Sequence, residues 1–154
     1  MNLPAYLYHG SMFDIGLGPL QPGFNYTHVE VFWDEVESNK FLYATTSAEE
    51  AVVLGFGSML EKRFNLDHFQ VRDKTIIVKG SEFKDKDILD KEIIYLYTLR
   101  PKSSDGWIKN NNHVNGIATE WKTNAIIPSR GIAKASIPIR KWLDDHGYIV
   151  VLEK

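Results

Sequence analysis

A chain of 154 residues with 44% hydrophobic, 12% aromatic and 25% charged side chains has the balance of an ordinary folded domain, and this excludes global disorder. At that length roughly two thirds of the surface of the unfolded chain can be buried, so no staple is needed. A net charge of −2, from 18 basic against 20 acidic side chains, supplies no overall positive field for nucleic acid, and the absence of cysteine excludes disulfides, thiolate metal sites and cysteine nucleophiles together.

No repeat, low-complexity tract or linker interrupts the sequence, so the expectation is one domain over residues 1–154. Met1-Asn2-Leu3-Pro4 lacks a basic region followed by an apolar core. No apolar run approaches the ~18 residues needed to span a bilayer. The expected setting is cytoplasmic, with no membrane partner.

Residues 5–8 read as a first strand with His9 at its exit, followed by Gly10, which would let a ligand approach the backbone. Gly16, Gly18, Pro19, Pro22 and Gly23 then impose an irregular loop, and a polar break at 34–40 precedes a short strand at 41–44. Phe24, Tyr26, Phe32 and Trp33 read as core packing, with a lid as the alternative. Thr46 and Glu49 match a capping box that opens a helix over 48–54, which Gly55 and Gly57 end or loosen.

Beyond that helix the pattern turns to strands. The β-branched and aromatic runs at 75–79 and 93–99 predict two, and the segments 125–127, 132–137 and 148–152 predict three more. A short helix over 140–146 is stopped by Gly147. The sum is an α+β domain in which sheet outweighs helix.

Several chemistries lack their residues. His28, His68, His113 and His146 show no metal-ligand spacing. There is no Gly-x-Ser-x-Gly elbow, no phosphate loop and no Gly-x-Gly-x-x-Gly turn between strand and helix, since Gly55-Phe56-Gly57-Ser58 follows a helix rather than preceding one. Lys122, Arg130, Lys134, Arg140 and Lys141 form a basic group whose default reading is a solvated face, with phosphate contact as the alternative.

The order Tyr8-His9-Gly10-Ser11, Gly/Pro-rich loop, Leu42-Tyr43-Ala44-Thr45, then a helix with Ser47 and Ala51, resembles the NAD-binding half of the diphtheria-toxin-like ADP-ribosyltransferases. That group includes the poly(ADP-ribose) polymerases and the small rifampin ADP-ribosyltransferases, and the run Tyr95 to Pro101 is similar to a central strand of the small bacterial members. The resemblance implies a split β-sheet core with a few short helices and a His, a Tyr and an acidic residue on three strands.

By that resemblance NAD is the co-substrate, no metal is needed, and His9, Gly10, Ser11, Tyr43 and Ser47 line its site. His9 would bond a ribose hydroxyl, the backbone of Gly10 would grip the nicotinamide amide, and Tyr43 would stack on the nicotinamide ring. The implied acid is Glu120, before the apolar run ending at Ile127, and Asp105 is its rival because rifampin-type enzymes use an Asp in such a loop. Ala118 stands where arginine-modifying toxins carry a second acid, so arginine is the less expected acceptor. The acceptor stays open between protein, nucleic acid and small molecule.

Each residue also has a plainer reading: a structural histidine for His9, a core aromatic for Tyr43, solvated surface acids for Glu120 and Asp105. Other readings of the whole are a non-catalytic module that keeps the fold to bind NAD, ADP-ribose or a partner protein, and an RNA 2′-phosphotransferase, for which the set of arginines is not clearly placed. Small size also suggests a bacterial, phage or mobile-element protein acting on host machinery.

Overall fold

The computed structural model describes residues 2–12, 14, 42–64, 68–79, 86–109, 120–123 and 131–153. Within them run β1 (Leu7–Ser11), β2 (Leu42–Thr45), α1 (Ala48–Phe64), β3 (His68–Arg72), β4 (Thr75–Lys79), β5 (Ile93–Leu99), β6 (Ile108–Lys109), β7 (Glu120–Thr123), β8 (Gly131–Pro138), α2 (Ile139–Asp145) and β9 (Ile149–Glu153). Short 3-10 turns cover Lys86–Lys91 and Ser103–Asp105. The architecture is α+β, and strands outweigh helices among the described residues.

The strands form two sheets. One has six strands in the order β6-β7-β2-β1-β5-β8, with every neighbouring pair antiparallel. The other has three, β3-β4-β9, in which a hairpin turning at Asp73 and Lys74 takes β9 alongside β4 in parallel. Asp73 supplies the positive φ of 54° that this turn needs, a conformation its short polar side chain tolerates.

Two apolar clusters result. Val52, Val53, Phe56, Met59 and Leu60 of α1 pack against Ile76 and Val78 of β4, Ile94 of β5, and Ile139 and Leu143 of α2. Leu7, Leu42, Ala44, Tyr97, Leu99, Trp107 and Trp121 form the second cluster, and the alternation of side chains along each strand assigns them to the opposite face of the six-stranded sheet. Most of the folding free energy comes from such burial, at roughly 25 cal/mol per Å² of apolar area removed from water.

The helix α1 does not end at Gly55 or Gly57. It runs on to Phe64, because both glycines sit where other atoms come too close for a side chain. A Cβ on Gly55 would lie 2.9 Å from the carbonyl carbon of Gly10, and one on Gly57 would lie 2.7 Å from the Phe69 ring. Each glycine costs the helix about 1 kcal/mol relative to alanine, and the close packing offsets it.

Gly147 does stop α2. It adopts φ 74°, and the bonds from its N–H to the Asp144 carbonyl and from the Tyr148 N–H to the Leu143 carbonyl form a Schellman motif. Runs 75–79 and 93–99 are strands over those residues, and 132–137 and 148–152 lie within or beside β8 and β9. The predicted strand at 125–127, the Gly/Pro loop and the aromatic group Phe24, Tyr26, Phe32 and Trp33 lie outside the described residues.

Candidate functional site

The first strand begins at Leu7, so His9 stands in the middle of β1 and not at a strand exit. β1 pairs with β5 along its whole length, from Leu7 opposite Leu99 to Ser11 opposite Tyr95. With β2 it shares one Cα partner pair, Tyr8 opposite Thr45. Beyond that pair the imidazole bridges the two strands: His9 Nδ1 lies 2.7 Å from the main-chain carbonyl oxygen of Tyr43. A carbonyl only accepts, so Nδ1 carries the proton and Nε2 is the acceptor of the neutral ring.

Directly opposed residues of an antiparallel ladder share a face. His9 therefore lies on the face of Tyr97, whose ring centroid is 6.4 Å away, and of the second apolar cluster. Ser11 shares that face and is 3% exposed. Gly10 points the other way, into α1, where a Cβ would stand 2.0 Å from the Ala51 carbonyl oxygen. Helix packing accounts for the absence of a side chain at this position.

The ladder between β2 and β7 brings distant residues side by side. Tyr43 is opposite Lys122, and Thr45 is opposite Glu120. Tyr43, Thr45, Glu120 and Lys122 thus occupy one face, with Cβ separations of about 5 Å for opposed residues and about 7 Å for the Tyr43–Glu120 diagonal. Through Tyr8 this is the face that carries Gly10 and α1, so Tyr43 and His9 belong to opposite faces and meet only through the Tyr43 carbonyl.

Asp105 is elsewhere. It is 4% exposed, its Oδ2 accepts the Lys102 backbone N–H at 2.9 Å, and its carbonyl accepts the Thr123 hydroxyl. It therefore sits at the Thr123 end of β7, with Glu120 at the other end, roughly 10 Å away along the strand. Its carboxylate shapes a turn.

Just past Thr45 the chain enters α1. The Thr45 hydroxyl accepts the Ser47 N–H at 2.8 Å, and Ser47 Oγ accepts the Glu50 N–H at 3.1 Å. Ser47 is thus the residue that caps the helix, one position after the expected Thr46, and the pair Ser47–Glu50 is the same sequence signature shifted by one. Glu49 is instead drawn outward, accepting Lys74 Nζ at 3.0 Å and the Tyr148 hydroxyl at 2.8 Å. Those bonds, that of Lys74 foremost, hold its carboxyl below the usual glutamate range.

Comparison with protein-family models, with curated proteins and with solved structures finds no match. Among the described residues no group of His, Asp and Glu is placed to hold a metal ion, and no helix is long and apolar enough to cross a membrane.

The basic group does not form one patch. Lys134 pairs with Asp14, Arg140 with Asp90 and Lys141 with Asp145, at 2.5 to 2.7 Å, as a solvated face would have it, while Arg130 lies outside the described residues. Lys122 stands directly opposite Tyr43 on β2. The alternation Glu120-x-Lys122 is its one signal in the sequence, and it acquires meaning only once β7 is paired to β2.

Proposed function

We propose that this chain is an NAD-dependent mono-ADP-ribosyltransferase, a single domain over 1–154 whose two sheets are the split core of that fold. The observation that carries the reading is the β2–β7 register, which sets the Tyr43 phenol and the Glu120 carboxylate on one face of neighbouring strands beside the start of α1. The segments Leu7–Ser11 and Leu42–Thr45 supply the sequence resemblance.

The chemistry needs such a pair. Breaking the bond between nicotinamide and ribose C1′ sends the bonding electrons out with nicotinamide and builds positive charge on the ribose, as in glycoside cleavage. Glu120 accepts a hydrogen bond from the ribose 2′-hydroxyl and stabilises that charge, and Tyr43 stacks on the nicotinamide ring. On the opposite face His9 donates its Nδ1–H to the Tyr43 carbonyl and so braces the strand that carries the phenol. The acceptor's nucleophile then bonds to C1′ and its proton passes to solvent.

Nicotinamide release from NAD tests this. Glu120→Gln lowers the rate by about 10² or more with the fold intact, the size expected when a transition-state electrostatic contact is lost. Unchanged release overturns the assignment, and loss in Asp105→Asn alone moves it to the other carboxylate. The placement of His9 on the far face from Tyr43 favours a second reading, a non-catalytic binder of NAD or ADP-ribose. Calorimetric binding of ADP-ribose without any nicotinamide release identifies that case.

A further inference from the structure

We infer that β9 pairs, antiparallel and about a two-fold axis, with β9 of a second copy of this chain. Among the described residues the two sheets end in β6, β8, β3 and β9, and the first three are guarded against such pairing. β6 is two residues long, β8 carries Lys134 and Pro138, and β3 alternates Gln70 and Arg72 with its apolar residues. β9 has no such guard. Ile149-Val150-Val151-Leu152 is an uninterrupted apolar run, the pattern of an interior strand covered on both faces, yet Ile149 is 58%, Val151 38% and Leu152 41% exposed. Leu152 shares the face of Val78, and Ile149 and Val151 share that of Thr75 and Ile77, so apolar surface is open on both sides of the strand.

The backbone selects both the partner and the register. Polar groups of successive strand residues point to opposite sides, and the Ile149 N–H donates to the Lys74 carbonyl at 2.8 Å. Ile149 and Val151 therefore turn their N–H and C=O to β4, and Val150 and Leu152 turn theirs to the open edge. A second β9 about an axis at Val151 sets Val150 against Leu152 of the other copy, and each such pair exchanges both of its hydrogen bonds. Moving the axis to Val150 would need the Tyr148 N–H, which already donates to the Leu143 carbonyl. At the axis the Val151 positions of the two copies stand opposite each other, with Ile77 beyond each, in one apolar row. Position 153, the strand's one charged residue, falls opposite Ile149 and not opposite itself, so like charges are not directly opposed.

Sedimentation velocity of the full chain from about 1 μM to about 1 mM tests this, because a strand pair of this length is a small interface that dissociates on dilution. The expected result is monomer at the low end and dimer at the high end. Val151→Lys, which opposes two ammonium groups at the axis, should associate about tenfold or more weakly, with its fold confirmed by circular dichroism. Since the sequence has no cysteine, single-cysteine variants read the register. Val151→Cys, with Cα atoms about 4.5 Å apart across the axis, oxidises to a disulfide-linked dimer. Ile149→Cys, whose two copies lie roughly 13 Å apart along the strands, does not. A chain monomeric at every concentration overturns the proposal and leaves β9 to another protein or to a segment of its own chain. Association unchanged in Val151→Lys, or equal cross-linking of the two cysteine variants, places the contact elsewhere and overturns it too.

Discussion

Replacing Gly10 with alanine separates a packing glycine from a ligand-facing one. The added Cβ starts 2.0 Å from the Ala51 carbonyl oxygen and 2.9 Å from its carbonyl carbon, whereas ordinary contact begins at 3.4 Å, so α1 and β1 must part by about 1.4 Å locally. Both partners are backbone, and no side chain can rotate out of the way. The cost therefore falls at the upper end of the range for overpacking, about 3 kcal/mol, against a gain of at most about 1 kcal/mol from the stiffer unfolded chain. At about 2–4 °C per kcal/mol for a domain of this size, the melting temperature drops by roughly 4–12 °C. Thermal unfolding followed by circular dichroism reads this directly, with Gly57→Ala as the milder control because its obstacle is the Phe69 ring, which can turn. A Gly10→Ala protein that melts within a degree of the wild type but fails to bind NAD would refute the packing argument and restore the ligand-facing one.

Further outcomes follow from the helix start and from the pair of strands beside it. Ser47→Ala removes the acceptor of the Glu50 N–H and costs about 1 kcal/mol, seen as a melting temperature lower by about 2–4 °C; no change would mean that another group caps α1. Glu49 has a folded pKa depressed below its usual 4.5, so its contribution is present above that value and is lost as the pH falls through the folded pKa. Denaturant midpoints measured down the acid range should therefore decline less steeply in Glu49→Gln than in the wild type, and parallel curves would show that the Lys74 and Tyr148 bonds contribute nothing. The loss expected for Glu120→Gln in nicotinamide release completes the set.

What could be read from the chain alone follows the strength of its periodic signals. Thr75–Lys79 and Ile93–Leu99 were legible to the residue, because uninterrupted β-branched and aromatic runs bounded by charged residues have no other local solution. The strand β7, Glu-Trp-Lys-Thr, was not, since one tryptophan among polar residues carries little apolar alternation. Its other inward residue, Thr123, is buried by virtue of its bond to the Asp105 carbonyl, a tertiary contact. The helix α1 outran its expected end because propensity penalises Gly55 and Gly57 locally, whereas the contacts that reward them come from β1 and β3.

The candidate site shows the same division. Tyr43 and Glu120 were nameable from their sequence surroundings, yet that they are neighbours depends on the register between β2 and β7, which no local pattern encodes. The face of His9 depends likewise on the extent of its strand: a strand ending at residue 8 leaves the next side chain without a face, while one running to Ser11 assigns it one.

Adjacent residues of β1 thus serve opposite faces, and this couples packing to the site. Gly10 admits α1, and the approach of α1 at Ala51 and Gly55 sets where its first turn begins. That first turn is tied through Ser47 to the Thr45 hydroxyl, and Thr45 stands opposite Glu120. A side chain at position 10 that pushes the helix outward pulls on this chain of contacts and shifts Thr45 against β7, so the carboxylate is displaced without being touched. On the other face His9 holds the Tyr43 carbonyl, which restrains β2 from the side that the helix does not reach. Two consecutive residues, one with no side chain and one with an imidazole, fix the same strand from its two sides, and a one-residue slip of β1 would reverse both roles at once.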